Sequence, residues 1–121
     1  MPDVTVQIFG RERDQGTRAA IRFFKERRVS IHLVDLNRKP IARGELRRFV
    51  ERLGVRTLLD ESSKAYRDGG LGYLRMDDAE VVERQLSDQR LLRLPLVRFG
   101  NELGAGRDEA AWKGWFRPAG A

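Results

Sequence analysis

Cysteine is absent from this 121-residue chain, and histidine occurs once, as His32. Without sulfur the chain cannot close a disulfide, present a thiolate nucleophile, hold zinc through Cys ligands or carry an iron–sulfur cluster. One imidazole leaves too few nitrogens for a His-rich metal site, while an all-carboxylate site stays formally open; no metal and no other cofactor is expected. Apolar runs near the ~20 residues that cross a bilayer are also missing. The start, Met1-Pro2-Asp3, is neither basic nor followed by a hydrophobic stretch. Together these predict a cytoplasmic protein with no membrane partner. Lysine is scarce: 4 of the 24 cationic side chains, against 20 arginines spread from Arg11 to Arg117. The net charge of +6 is dispersed along the chain and forms no basic block, which disfavours nucleic acid as a partner.

What is present suits one soluble domain spanning 1–121, with 40% apolar residues and enough length for one core. Residues 4–9 alternate Val4, Val6 and Ile8 with differently facing residues, predicting a half-buried strand that ends at Gly10. Asp14 stands as the N-cap of a helix to about Arg28, with Ala20, Ile21 and Phe24 on one face and Arg18, Arg22 and Lys25 elsewhere. A second strand covers Val29 to Leu36, and a βαβ unit of this length implies parallel strands joined by a right-handed crossover. Leu46, Phe49, Val50 and Leu53 recur at helical spacing, with Gly54 as the stop.

Residues 55–92 show no strand-like alternation and read as a helical insert of short pieces. These are one near 56–60, a glycine-broken stretch at 69–72, Asp77 to Leu86 capped by Asp77 or Asp78, and Asp88 to Leu92. Strand character resumes at Leu94–Phe99, turns at Gly100-Asn101, returns over Glu102–Ala105 and ends in a helix, Asp108–Phe116. The expected fold class is therefore α/β, βαβ plus ββα around a mixed four-stranded sheet, with the insert between the halves. The tail, 118–121, is expected to fray.

Each residue or motif with a functional reading also has a structural one. The loop Gly10-Arg-Glu-Arg-Asp-Gln-Gly16-Thr17 has phosphate-loop glycines one residue too far apart, and no lysine precedes Thr17. His32 lies in a strand with no nucleophile elbow nearby and reads as a sheet-face residue. The pairs Asp60-Glu61, Asp77-Asp78 and Asp108-Glu109 stand where helices begin, which favours capping over acid–base work. Trp112, Trp115 and Phe116 at helical spacing read as core packing. Arg43, Arg47, Arg48 and Arg52, interleaved with Glu45 and Glu51, read as a solvated face.

Ile8-Phe9-Gly10, Val34-Asp35-Leu36, Gly44-Glu45-Leu46, Leu53-Gly54, Leu58-Leu59, Ala65-Tyr66-Arg67, Leu94-Pro95-Leu96-Val97 and Gly106-Arg107-Asp108-Glu109 follow one another in this order of elements. By these residues the chain resembles the thioredoxin plan and, with the insert, the arsenate reductase (glutaredoxin-coupled) and Spx-like family over nearly the whole chain. In that family the loop after the first strand places a nucleophilic cysteine at a helix N-terminus, where backbone N–H groups stabilise a thiolate and bind the oxyanion. Here the matching position is Asp14, and the place of a second cysteine in some members is Thr17. Of the three arginines that gather round the oxyanion, the matching positions are Asp60, Leu94 and Arg107, so one is kept. Arg93 is one residue out of register. The family proline is cis; it corresponds to Pro95.

The resemblance thus implies a family member without the active-site cysteine, acting as a binding or regulatory module. The alternative is an arsenate reductase-like or glutathione-dependent oxidoreductase that borrows an external thiol, with Gly16, Arg93 and Arg107 as candidates for anion or partner binding. A protein partner is expected, RNA polymerase by analogy with Spx-like relatives. Two local arrangements of the site stay open: Asp14 pairs with Arg107 and fills the anion site, or Asp14 only caps the helix and Arg107 is a solvated charge.

Overall fold

The computed structural model describes residues 5–116. In chain order the elements are β1 (Thr5–Gly10), α1 (Gln15–Glu26), β2 (Ser30–Asp35), α2 (Arg43–Leu53), α3 (Lys64–Asp68), α4 (Asp78–Ser87), β3 (Leu96–Phe99), β4 (Glu102–Ala105) and α5 (Glu109–Gly114). Short 3-10 turns at Leu71–Tyr73 and Gln89–Leu91 flank α4. The chain divides into two compact units, one made of the segments up to Asp35 and from Leu94 onward, the other of Leu36–Arg93.

The first unit holds a mixed sheet in the order β2-β1-β3-β4. β1 runs parallel to β2 and antiparallel to β3, and β3 is antiparallel to β4. β1 lies between β2 and β3 and is more than half-buried, with Phe9 as fully buried as Val6 and Ile8. Val6, Ile8 and Val97 form the floor on which α1 lays Ala20, Phe23 and Phe24, and α5 adds Trp112. The expected core role of the C-terminal aromatics is therefore met, with Trp115 and Phe116 packed against the same cluster. His32 is exposed on β2, as a sheet-face residue should be.

Helix α1 stops two residues before the expected Arg28. Arg28 adopts φ 58, and its N–H donates to the Lys25 carbonyl at 3.0 Å while Val29 N–H donates to Phe24 at 3.0 Å. That pair of bonds satisfies the last carbonyls of the helix and turns the chain into β2. Arg27 lays its guanidinium 3.6 Å over the Phe23 ring, shielding the edge of the core with a cation. The assignments that involve Val4 and 118–121 lie outside the described residues.

The second unit is built from α2, α3, α4 and the two 3-10 turns, around Val55, Leu59, Leu71, Met76, Val81 and Leu91. Two features differ from the sequence expectation. No helix forms near 56–60; residues 55–58 make turns, and Leu59 forms an isolated antiparallel bridge with Leu92. The bridge is extended on both sides by Asp60 N–H to the Leu91 carbonyl and Arg93 N–H to the Leu58 carbonyl, each 2.8 Å. A helix appears instead at Lys64–Asp68, capped by the Ser63 hydroxyl accepting from Tyr66 N–H at 3.1 Å. The reason is local: Asp60 spends its carboxylate on Ser62 N–H at 3.0 Å, closing a turn before α3 and leaving the cap to Ser63.

Candidate functional site

The loop between β1 and α1 is organised around one buried hydroxyl. Thr17 is fully buried; its Oγ1 accepts from Arg11 N–H at 3.3 Å and donates to Asp14 Oδ2 at 2.8 Å. The same carboxylate oxygen accepts from Thr17 N–H at 2.7 Å, so Asp14 is the N-cap of α1, in the extended backbone conformation that a cap requires. Asp14 N–H in turn donates to the Arg11 carbonyl at 3.0 Å, which closes the loop. Gly10 makes the fit feasible. A Cβ at that position would lie 2.2 Å from Thr17 Oγ1, inside any tolerable contact, so the end of β1 approaches the first turn of α1 only because it lacks a side chain.

The other wall is the Leu94–Pro95 peptide, which is cis. A Cβ on Gly16 would lie 2.9 Å from the Leu94 carbonyl oxygen, 3.1 Å from Pro95 Cδ and 3.3 Å from Asp14 Oδ2. These positions therefore meet at one point. Pro95 accepts from Gly106 N–H at 2.9 Å, and Gly106, at φ 79, turns the chain toward Arg107. Arg107 donates from Nε and Nη2 to Glu109 Oε2 at 3.0 and 2.9 Å, with its side chain 56% exposed. The pair is a surface ion pair of small energetic weight.

Asp14 and Arg107 are accordingly not paired, which corrects the internally filled arrangement in which these two neutralise each other. Asp14 is consumed by the helix, and a carboxylate two residues away takes the guanidinium. Asp60 and Arg93 belong to the other unit, where Asp60 closes its turn and Arg93 is exposed. Among the described residues no group of three or more His, Cys, Asp or Glu could hold a metal ion, and no helix is long and apolar enough to cross a membrane.

The sequence profile of the ArsC family matches residues 11–115, nearly the whole chain. The chain belongs to the ArsC family. Solved structures share its fold, three of them as follows. An arsenate reductase from Vibrio cholerae aligns at 17% identity over 90% of this chain and 95% of that one, with TM-score 0.79. A protein titled YffB (PA3664) aligns at 20% identity over 90% and 96%, with TM-score 0.83. An ArsC-related protein from Brucella melitensis aligns at 18% identity over 94% and 96%, with TM-score 0.68. At such identities the likeness shows the thioredoxin-like fold alone. No curated protein matches the chain.

This is an ArsC-family protein without any cysteine. Of the positions expected at the site, Asp14, Gly16, Thr17, Leu94 and Pro95 lie together. Two neighbours were not among the expected site positions: Gly10, read as a strand end and as the first glycine of the loop, and Glu109, read as a helix-start acid. The signal for Gly10 was its distance of seven residues from a threonine in the first turn of α1. For Glu109 it was the i, i+2 spacing from Arg107.

Proposed function

We propose that this ArsC-family protein is a binding or regulatory module from which thiol redox chemistry has been lost. The reading is carried by one observation: Asp14 Oδ2 already occupies both Thr17 N–H and Thr17 Oγ1–H at the N-terminus of α1. Those donors and the positive end of the helix are what would hold an oxyanion or stabilise a thiolate. A carboxylate there repels an incoming anion, and it cannot form an arsenic–sulfur bond or a mixed disulfide. The engagement of Arg107 by Glu109 supports the same reading. The ligand of such a module is another protein; RNA polymerase is suggested by the Spx-like resemblance only.

The test is an arsenate reduction assay with glutathione and glutaredoxin, paired with arsenate titration by calorimetry. The native chain is expected to show neither turnover nor binding. Asp14→Ala is expected to lose about 1 kcal/mol of stability with its cap and to stay inactive. Turnover by the native chain that disappears in Arg107→Ala overturns the reading in favour of a glutathione-dependent oxidoreductase using an external thiol.

A further inference from the structure

Arginines are spread along the chain, but the net charge is not. Residues 36–56 hold seven basic side chains against Glu45 and Glu51, while the rest of the chain holds 17 against 16. One segment of the helical unit therefore carries nearly all of the +6. Helix α2 is the centre of that segment. Its buried side chains are Leu46 and Phe49, with Val50 and Leu53 half-buried, and its exposed residues are Arg43, Gly44, Arg47, Arg48, Glu51 and Arg52. Arg43 is held by Glu83 of α4, and the Glu45 carboxylate accepts from Ala42 N–H at 3.2 Å. Arg47, Arg48 and Arg52 have no ion-pair partner among the described residues. At about 100° per residue, Arg47 and Arg52 stand about 140° apart round the helix axis with Arg48 between them. Gly44 leaves the first turn of the same side bare, with no atom within 4 Å of a built Cβ.

Three unpaired guanidinium groups on one helix repel each other, and a counter-charge that meets all three at once removes that cost. The face offers little else. No aromatic or aliphatic side chain is exposed on α2, so a protein partner would find no apolar anchor there, and a single-stranded nucleic acid would find no ring on which to stack its bases. The phosphate backbone of a duplex needs only the charges. Groove shape then decides between duplexes. The major groove of B-form DNA, about 12 Å wide, admits a helix, and arginines on both flanks of that helix reach the phosphates of the two groove walls. The deep, narrow major groove of A-form RNA does not admit one. A second copy of the chain would bring arginines against arginines and be repelled. Glu51, four residues on from Arg47 and three from Arg48, is the acid exposed on this face and opposes an anion there.

We propose that the exposed face of α2 is a sequence-independent docking surface for double-stranded DNA, with Arg47, Arg48 and Arg52 neutralising backbone phosphates. It lies in a different unit from the α1 loop and adds a ligand class to the binding-module reading. The test is fluorescence anisotropy of a labelled mixed-sequence DNA duplex of about 20 base pairs with the full chain. At about 50 mM salt a Kd in the micromolar range is expected, weakening steeply by about 200 mM. The triple variant Arg47→Ala/Arg48→Ala/Arg52→Ala is expected to weaken binding about 10-fold or more and to make the slope of log affinity against log salt shallower by about 3. Glu51→Gln, which keeps every arginine, is expected to tighten binding about 2- to 5-fold, and it decides the matter if circular dichroism finds the triple variant unfolded. Arg18→Ala/Arg22→Ala/Lys25→Ala removes as many charges from α1 and is expected to weaken binding less than about 3-fold. No binding at about 50 mM salt, an RNA duplex or a single strand bound as tightly as the DNA duplex, an affinity unchanged in Glu51→Gln, or a loss in the α1 variant equal to that in the α2 variant overturns the assignment. If DNA is not bound while the chain stays inert toward arsenate, the binding-module reading survives; arsenate turnover would defeat that reading and leave the α2 surface untouched.

Discussion

In the sheet unit Phe23, Phe24, Phe99, Trp112, Trp115 and Phe116 pack with ring centroids from 4.9 to 6.5 Å apart. The helical unit instead centres on a cluster of Val55, Leu59, Leu71, Met76, Val81 and Leu91, with Phe49 as its one fully buried ring among the described residues, and two glutamines are buried in that unit, Gln85 and Gln89. Rings bury a large area with few rotatable bonds, so a handful of residues can fix β1, β3, α1 and α5. Short helices bury less, and the helical unit adds polar cross-links between distant segments: Gln89 accepts from Ile41 N–H at 2.7 Å and donates to the Ile41 carbonyl at 3.1 Å. The loop in which Asp14 holds Thr17 N–H and Oγ1–H lies within the aromatic unit, while the exposed large apolar side chains among the described residues, Tyr73 and Leu74, belong to the other.

The comparison would break most visibly in the aromatic unit. Phe24 is fully buried and touches five other rings. Phe24→Ala is expected to cost about 3–5 kcal/mol in urea unfolding, and a loss under about 1 kcal/mol would show that the rings are not the core. The helical unit offers an internal control. Gln89→Leu strands a buried N–H and a buried C=O and is expected to cost about 2–4 kcal/mol. Gln85 is more deeply buried than Gln89, but neither its Nε2 nor its Oε1 has a partner among the described residues. Gln85→Leu is therefore expected to be within about 1 kcal/mol of the native chain, or more stable. Equal losses at the two positions would refute the assigned difference.

Glycine substitutions sharpen the contrast at smaller scale. Gly10→Ala is expected to cost about 1–3 kcal/mol, because its Cβ would displace Thr17 and with it the cap at Asp14. Gly44, in α2, has no atom within 4 Å of a built Cβ, so Gly44→Ala is expected to raise stability by about 0.5–1 kcal/mol. Paired thermal melts would measure both. The smallest effect is electrostatic. The hydrogen bond from Arg43 holds the Glu83 carboxyl below its ordinary value of 4.5, and both side chains are exposed. A depressed folded-state pKa contributes stability above the unfolded pKa, and that share is lost as pH falls through the folded value. Glu83→Gln should slightly flatten the dependence of stability on pH below about 4.5, with little change elsewhere; an unchanged acid limb would mean that the pair is not formed in solution.

Much of the aromatic unit was legible because its signals are local. Alternation over Val6 and Ile8, the cap residue Asp14 and the Gly100-Asn101 turn each depend on a few consecutive residues. Asp77 and Asp108 read the same way, each accepting from the N–H three residues on. In the helical unit the helix at 64–68 was missed and one near 56–60 was expected in its place. A five-residue helix has too few turns to show a period, and the pairing of Leu59 with Leu92 depends on residues 33 positions apart.

At the site, the sequence by itself determined the chemistry that is excluded: with no cysteine and with aspartate at position 14, no sulfur nucleophile can form, whatever the fold. It also determined the cap, since a side chain three residues from its N–H partner needs only a helix to reach it. Tertiary structure alone decided that the Leu94–Pro95 bond is cis against Gly16, that Thr17 fits under Gly10, and that Gln89 answers Ile41 across 48 residues. It also decided that Arg107 turns to Glu109 and that Tyr73 faces water. These depend on which atoms the folded backbone brings within a few ångströms, and neither spacing along the chain nor residue type encodes that distance.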